Sequence, residues 1–406
     1  MVRSPLLSKS ARRNAGAADA VRIASRSPSP SPRARFQRER RQPQQQQPSR
    51  WARASGPASR RETIAQAIAD ELNADGDWFA DASNASRWAE LEGVLRQKFY
   101  GDETASREES VETRIKDYYL PVYFWIRKRI AEHKAEGKTK PLFLGISAPQ
   151  GCGKTTLVTC LEELFASDVG NGHAARCVSM SLDDFYLTRD GQVAVAGDNA
   201  SNDLLQCRGN AGTHDVPMTL RVLSELTGRE SGPDTTQIPQ YDKAAFSGQG
   251  DRAPESEWRD VDVAGVDVVL FEGWMQGFSP AATAEDRAAL DGIHPGLATI
   301  DAILAKYVPI WEQMDAWIVV QVYDLGYIFN WRLQAEKAMI ERCGEGMTDD
   351  EVAEFVSRYI PAYKAYLPSL YKGLPPGCRD ASKVLSFAVD GNRNPIEKTE
   401  AFTLAS

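Results

Sequence analysis

The sequence predicts an α/β fold in which a mostly parallel sheet is flanked by helices, and three observations carry that expectation. Residues 142–146 (LFLGI), 266–273 (VDVVLFEG) and 316–324 (AWIVVQVYD) are nearly continuous apolar runs, the pattern of strands buried on both faces. Segments with apolar residues at three- and four-residue spacing alternate with them, as crossover helices do. A glycine-bearing turn, APQGCGKTT, leads from the first run into a helical stretch.

In chain order, residues 1–61 come first, with fifteen Lys/Arg against Asp19 and Glu39, a net charge of +13. The rest of the chain carries 33 basic against 54 acidic residues, a net of −21. Runs such as SPSPSPRAR (27–35) and QPQQQQP (42–48) cannot bury a core. Arg- and Ser-rich, acid-poor composition without an apolar stretch is that of an organellar transit peptide; a disordered basic tail is the alternative. The acidic body argues against nucleic acid as the main partner. No run approaches the about 18 apolar residues of a membrane span. The six cysteines, Cys152, Cys160, Cys177, Cys207, Cys343 and Cys378, form no CxxC pair and no metal-ligand spacing, so they read as reduced thiols.

Residues 62–140 form a helical N-terminal region. TIAQAIADELNA, SRWAELEGVLRQKFY and ETRIKDYYLPVYFWIRKRIAEHKAEG each place apolar residues on one helical face. Pro121 is expected to kink or split the last of them.

The turn after the first core strand has the spacing of a P-loop from Ala148 to Thr155, with Ala148 in place of the usual first glycine. Ala148, Pro149, Gln150, Gly151, Cys152, Gly153, Lys154, Thr155 and Thr156 therefore form the expected nucleotide site. Gly151 and Gly153 let backbone amides curl round a phosphate, and the helix start adds free N–H groups and a positive dipole end. Lys154 is placed to reach the β- and γ-phosphates of ATP, and the Thr155 hydroxyl to ligate Mg²⁺. Cys152 lies inside this loop, where its oxidation would block nucleotide. The fold class is thus α/β of the P-loop NTPase type.

Further along, 176–181 reads as a second strand ending in SLDDFY (181–186), and 188–217 as a loop-rich stretch. Residues 218–226 look helical, and punctuated chain runs to about 260. VDVVLFEG precedes another loop-rich region; 327–342 and 350–370 read as helices and 384–390 as a last strand. Asp183 and Asp184 stand where the second strand releases the chain, the edge at which open α/β sheets bind ligands. One of them can take a hydroxyl proton as phosphoryl transfers, while the other caps a turn. Glu272 ends its strand in the place of a Walker-B-like acid that supports Mg²⁺; a structural ion pair is the alternative. Arg332 fits a lid arginine over the transferring phosphoryl, with an ordinary pair to Glu336 one turn on as its rival.

SAPQGCGKTT, SLDDFY, RGNAGTHD (208–215), IPQYDKAAFSGQGDR (238–252), FEGWMQGF (271–278) and NWRLQAE (330–336), in that order, resemble the D-glycerate 3-kinases of plants and fungi. These belong to the phosphoribulokinase/uridine kinase branch of P-loop kinases. The resemblance implies a kinase domain over 141–406, an acceptor-binding insert at about 188–260 and a lid at about 325–345. It also implies transfer of the ATP γ-phosphate to D-glycerate, giving 3-phosphoglycerate, as photorespiration requires in the chloroplast stroma. In that branch the first acid of the D-x-F-Y motif is the catalytic base, which corresponds to Asp183; Glu272 and Arg332 correspond to the E-G acid and the lid arginine. A small anion with two hydroxyls needs a cation and oxygen acceptors. Arg208, His214, Asp215, Tyr241, Asp242, Lys243 and Arg252 are the candidates, with Arg208 or Lys243 for the carboxylate. Kinases of the same branch acting on uridine, ribulose 5-phosphate or pantothenate are the nearest rivals. A partner-driven ATPase is the rival of another class; a GTPase switch would carry an N-K-x-D motif, which the chain lacks.

Overall fold

The computed structural model describes residues 64–73, 82–101, 108–168, 175–228, 234–246, 248–344 and 346–396. The reading of 1–61 lies outside the described residues. The strands are β1 (Leu142–Ser147), β2 (Arg176–Ser181), β3 (Thr235–Ile238), β4 (Tyr241–Asp242), β5 (Asp251–Arg252), β6 (Arg259–Asp262), β7 (Val266–Gly273), β8 (Ala316–Gln321), β9 (Val384–Val389) and β10 (Pro395–Ile396). Six make the main sheet in the order β10-β9-β8-β1-β7-β2. All neighbours in it are parallel except the β10–β9 edge pair. Every residue of β1 and β8 is buried, as continuous apolar runs demand of strands covered on both faces. β3 pairs with β6, and β4 with β5, as two small antiparallel ribbons.

The helical expectation for 62–140 corresponds to helices Ile64–Asn73, Ala82–Tyr100, Glu109–Arg114 and Leu120–Ala135. The last of them is divided at Pro121 as expected: Pro121 sits in the first turn of Leu120–Ala135, and a π-helical turn, Ile115–Tyr119, separates that helix from Glu109–Arg114. The wider turn relieves a ring that cannot donate to, and would clash with, the carbonyl four residues back.

Two corrections concern segments read as loop, and a third concerns a segment read as one helix. Residues 188–217 contain the helix Arg189–Asp198, capped by the Thr188 hydroxyl, with none of its residues buried. The chain between 274 and 315 holds the helices Ala284–Ile293, Leu297–Leu304 and Val308–Trp311, the first closed by a Thr283/Asp286 capping box. The single helix expected at 350–370 is two, Asp349–Ser357 and Ile360–Lys372, because Pro361 starts the second. Among the described residues Cys152, Cys160, Cys177, Cys207 and Cys378 are free, and buried Cys152 has its thiol pKa pushed up by burial, which opposes the reactive thiolate.

The helical region is fastened to the helix after the P-loop, Lys154–Asp168, by a buried charge. Asp168, fully buried at that helix's end, accepts from Arg87 and from the Tyr123 hydroxyl at 2.5 Å, with Arg127 3.7 Å away. Among the described residues no helix is long and apolar enough to cross a membrane.

Candidate active site

Parallel strands end level, and that decides what meets what. β7 lies between β1 and β2 with Glu272 opposite both Ile146 and Ser181, and Gly273 opposite Ser147. The P-loop leaves β1 after Ser147 and the SLDDFY turn leaves β2 at Ser181, so three separate motifs open at one sheet edge.

The P-loop has the backbone its glycines imply, with φ of +79° at Gly151 and +97° at Gly153. At Gly151 a Cβ would come within 2.6 Å of the Trp331 Cβ, so the position excludes side chains for a packing reason as well. The Gln150 amide donates to the Tyr363 hydroxyl at 3.0 Å, which anchors the loop's crest. Lys154 Nζ rests on the Pro149 carbonyl at 3.3 Å, and its charge acts on both Asp183 and Glu272. Thr155, Ser181, Asp184 and Glu272 line one cleft of about 240 Å³.

The paired aspartates have different situations. Ser181 starts a short 3₁₀ turn, Leu182–Phe185, with a capping box in which the Asp184 carboxylate accepts the Ser181 amide at 3.0 Å. Asp184 is thus the capping member of the pair, and burial raises its pKa to about 6. Asp183 instead points to Lys243, 2.6 Å away. Burial pushes Asp183 up, but the Lys243 ammonium, with help from Lys154, outweighs it and holds the carboxyl below its ordinary value. Burial raises the Glu272 pKa against the pull of Lys154, and one of its carboxylate oxygens is buried with no hydrogen-bond partner among the described residues. Such an oxygen requires a cation or donor. The set fits Mg²⁺: a hydroxyl, a carboxylate and phosphate oxygens suffice without a protein cage. Among the described residues no group of three or more His, Cys, Asp or Glu forms a cage of its own.

The seven acceptor candidates divide. Lys243, on the loop of the β4–β5 hairpin, contacts Asp183, and Asp183 also acts electrostatically on Tyr241 and His214. His214 stacks on Tyr186 at 4.4 Å, and Tyr186 meets Tyr241 edge-on at 5.2 Å. Arg208 lies over Tyr241 but directs its guanidinium to the carbonyls of Gly248, Gln249 and Lys243, bracing the hairpin loop. Asp215 caps the helix Val216–Leu226 and pairs with Arg252 at 3.2 Å, and Asp242 caps the turn at Ala244. These last three are engaged in caps and an ion pair.

No family model matches the chain. It is 43% identical over 288 residues to the chloroplastic D-glycerate 3-kinase of Arabidopsis thaliana, covering 70% of this chain and 61% of that protein. It is 37% identical to the uncharacterized kinase mug58 of Schizosaccharomyces pombe, covering 66% of this chain and 95% of that one. Among solved structures, a D-glycerate 3-kinase from Cryptococcus neoformans var. grubii is similar at 31% identity and a TM-score of 0.58, over 68% of this chain and 96% of that one. The chain belongs to the D-glycerate 3-kinase family. It therefore spans 61% of the length of the Arabidopsis relative and nearly all of the fungal ones.

In this family member Arg332 lies on the helix Gly326–Cys343, pairs with buried Glu336 at 2.5 Å and stacks on Phe355. Its described partners are those of the i,i+4 pair, and none joins it to Lys154, Asp183 or Glu272. Two residues near the site escaped the sequence reading. Tyr359, buried between two helices, meets Trp274 at 5.3 Å, and Asp183 and Arg208 act on its phenol. Arg393 donates to the Gly151 carbonyl at 2.7 Å and lies over Trp331 at 5.2 Å. A lone tyrosine between helices and an arginine in an Asn/Gly turn carry no motif. The only available signal was the turn chemistry of GNRNP (391–395).

Proposed function

We propose that this chain transfers the γ-phosphoryl group of ATP to the 3-hydroxyl of D-glycerate, giving 3-phospho-D-glycerate and ADP. The observation that carries the reading is Asp183, a carboxylate at the shared strand edge with the P-loop Lys154 acting on it and the hairpin Lys243 in contact. A base between a phosphate lysine and an acceptor cation suits transfer to a small hydroxy acid.

Bound Mg-ATP supplies the transferable phosphoryl and neutralises its developing charge. The amides of Gly151 and Gly153 and the Lys154 ammonium hold the phosphates, and Thr155 and Glu272 hold the metal. Lys243 takes the carboxylate of glycerate in exchange for Asp183, because the Arg208 fork is occupied by backbone carbonyls. Asp183, so released, accepts the proton of the 3-hydroxyl. Arg332 serves the lid if it leaves Glu336 on closure.

The full chain with Mg-ATP is to be assayed against D-glycerate, L-glycerate, glycerol, uridine, ribulose 5-phosphate, pantothenate and no acceptor, with products identified by ³¹P NMR. ADP formation that depends on D-glycerate, with phosphate on the 3-oxygen, is expected, and glycerol should be a poor acceptor because it lacks the carboxylate. Preference for another acceptor would overturn the substrate; ADP release that ignores acceptors would overturn the kinase.

We further propose that residues 1–61 direct the chain to the chloroplast stroma for photorespiratory glycerate. Its support is the net charge of +13 and the acid-poor Arg/Ser composition. Residues 1–61 fused to a fluorescent protein should accumulate in chloroplasts of plant cells, and cytosolic fluorescence would refute the assignment.

A further inference from the structure

His214 is 5% exposed, its ring stacked on Tyr186 and set edge-on to Tyr307 at 5.6 Å. Its Nδ1 lies 2.9 Å from the Tyr307 hydroxyl, whose oxygen also accepts the Gly212 amide at 2.8 Å. An amide only donates, so the Tyr307 oxygen is the acceptor in that contact. Tyr307 is fully buried, and Nδ1 is the one described acceptor within reach of its proton. Nδ1 therefore accepts, and the ring carries its own proton on Nε2. Burial lowers the ring pKa to about 4, which keeps it neutral near pH 7. Nε2 is buried with no hydrogen-bond partner among the described residues, while Asp183 is the charge that acts on the ring.

A buried N–H beside the base calls for an oxygen acceptor. We propose that His214, held in its Nε2–H form by Tyr307, donates to the 2-hydroxyl of the acceptor and makes the site specific for 2,3-dihydroxy acids. This rests on the reading of glycerate as acceptor and follows by elimination. The 3-hydroxyl must donate to Asp183 and the carboxylate meets Lys243, which leaves the 2-hydroxyl oxygen for a neutral donor. Tyr307 is a positioning residue, acting only through the ring.

The test compares kcat/KM for D-glycerate and 3-hydroxypropanoate, which lacks the 2-hydroxyl, in the full chain. Wild type should prefer D-glycerate by about tenfold or more, the worth of one such hydrogen bond. In His214→Asn, which keeps an acceptor for Tyr307 but removes Nε2, the preference should fall below about threefold, with KM for ATP unchanged. His214→Gln, which restores a donor near Nε2, should recover most of it. Histidine ¹⁵N–¹H spectra of the wild type, which has four histidines, should show one buried ring protonated on Nε2, and Tyr307→Phe should disturb that signature. An unchanged preference in His214→Asn, or a proton on Nδ1, overturns the assignment while leaving glycerate as substrate. No turnover with D-glycerate in the wild type overturns the underlying reading and this assignment with it.

Discussion

Asp183→Asn should lower kcat by ~10²–10⁴ while leaving KM for ATP near its starting value, because the amide keeps the shape of the carboxylate but accepts no proton. Asp184 cannot stand in for it. Its carboxylate is tied to the Ser181 amide as the cap of the 3₁₀ turn. The pH profile adds a second readout. Asp183 is held below its ordinary pKa, so the ionised base persists at neutral pH and is lost only as pH falls through that lowered value. The acid limb of kcat/KM should therefore lie below the usual aspartate range in the wild type and lose that component in the variant. Steady-state kinetics with a direct product assay decides the matter. Turnover close to wild type in Asp183→Asn would remove the residue from the base role.

Asp168→Ala should destabilise the folded chain by ~3–5 kcal/mol, the usual consequence of removing one partner from a buried ion pair. Asp168 is fully buried, whereas the side chains of Arg87 and Arg127 are 13% and 19% exposed. Alanine would remove the buried carboxylate that Arg87, Arg127 and the Tyr123 hydroxyl share. The effect should appear as a lower urea midpoint with little change in slope. Asp168→Asn, which retains hydrogen-bonding capacity without the charge, should lose less. A midpoint unchanged in Asp168→Ala would mean that the helical region is held to the P-loop helix by apolar packing alone.

The core strands were legible because burial on both faces leaves a continuous apolar signature. β1, β7 and β8 begin and end close to their apolar runs. Helices with little buried surface were not legible: Arg189–Asp198 buries none of its residues, so it has no apolar stripe to read. Its cap at Thr188, and the Thr283/Asp286 box before Ala284–Ile293, were the available signals. The division of labour between Asp183 and Asp184 was visible only as a choice. Which of the two caps follows from the 3₁₀ turn, and the choice became definite when the β4–β5 hairpin brought Lys243 to Asp183.

By itself the sequence determined the α/β class, the phosphate loop from Ala148 to Thr156 and the motifs of the glycerate kinase family, all carried by contiguous residues with local geometry. Tertiary structure alone decided the rest. It separated Asp215, Asp242 and Arg252, which hold one another or a turn, from Lys243 and His214, which gather at Asp183. It also brought in Tyr307, Tyr359 and Arg393 from later parts of the chain. The physical reason is that parallel strands order themselves by burial, not by sequence. β7 is inserted between β1 and β2, and groups as far apart in sequence as Gly151 and Arg393, 242 residues, become neighbours at one edge.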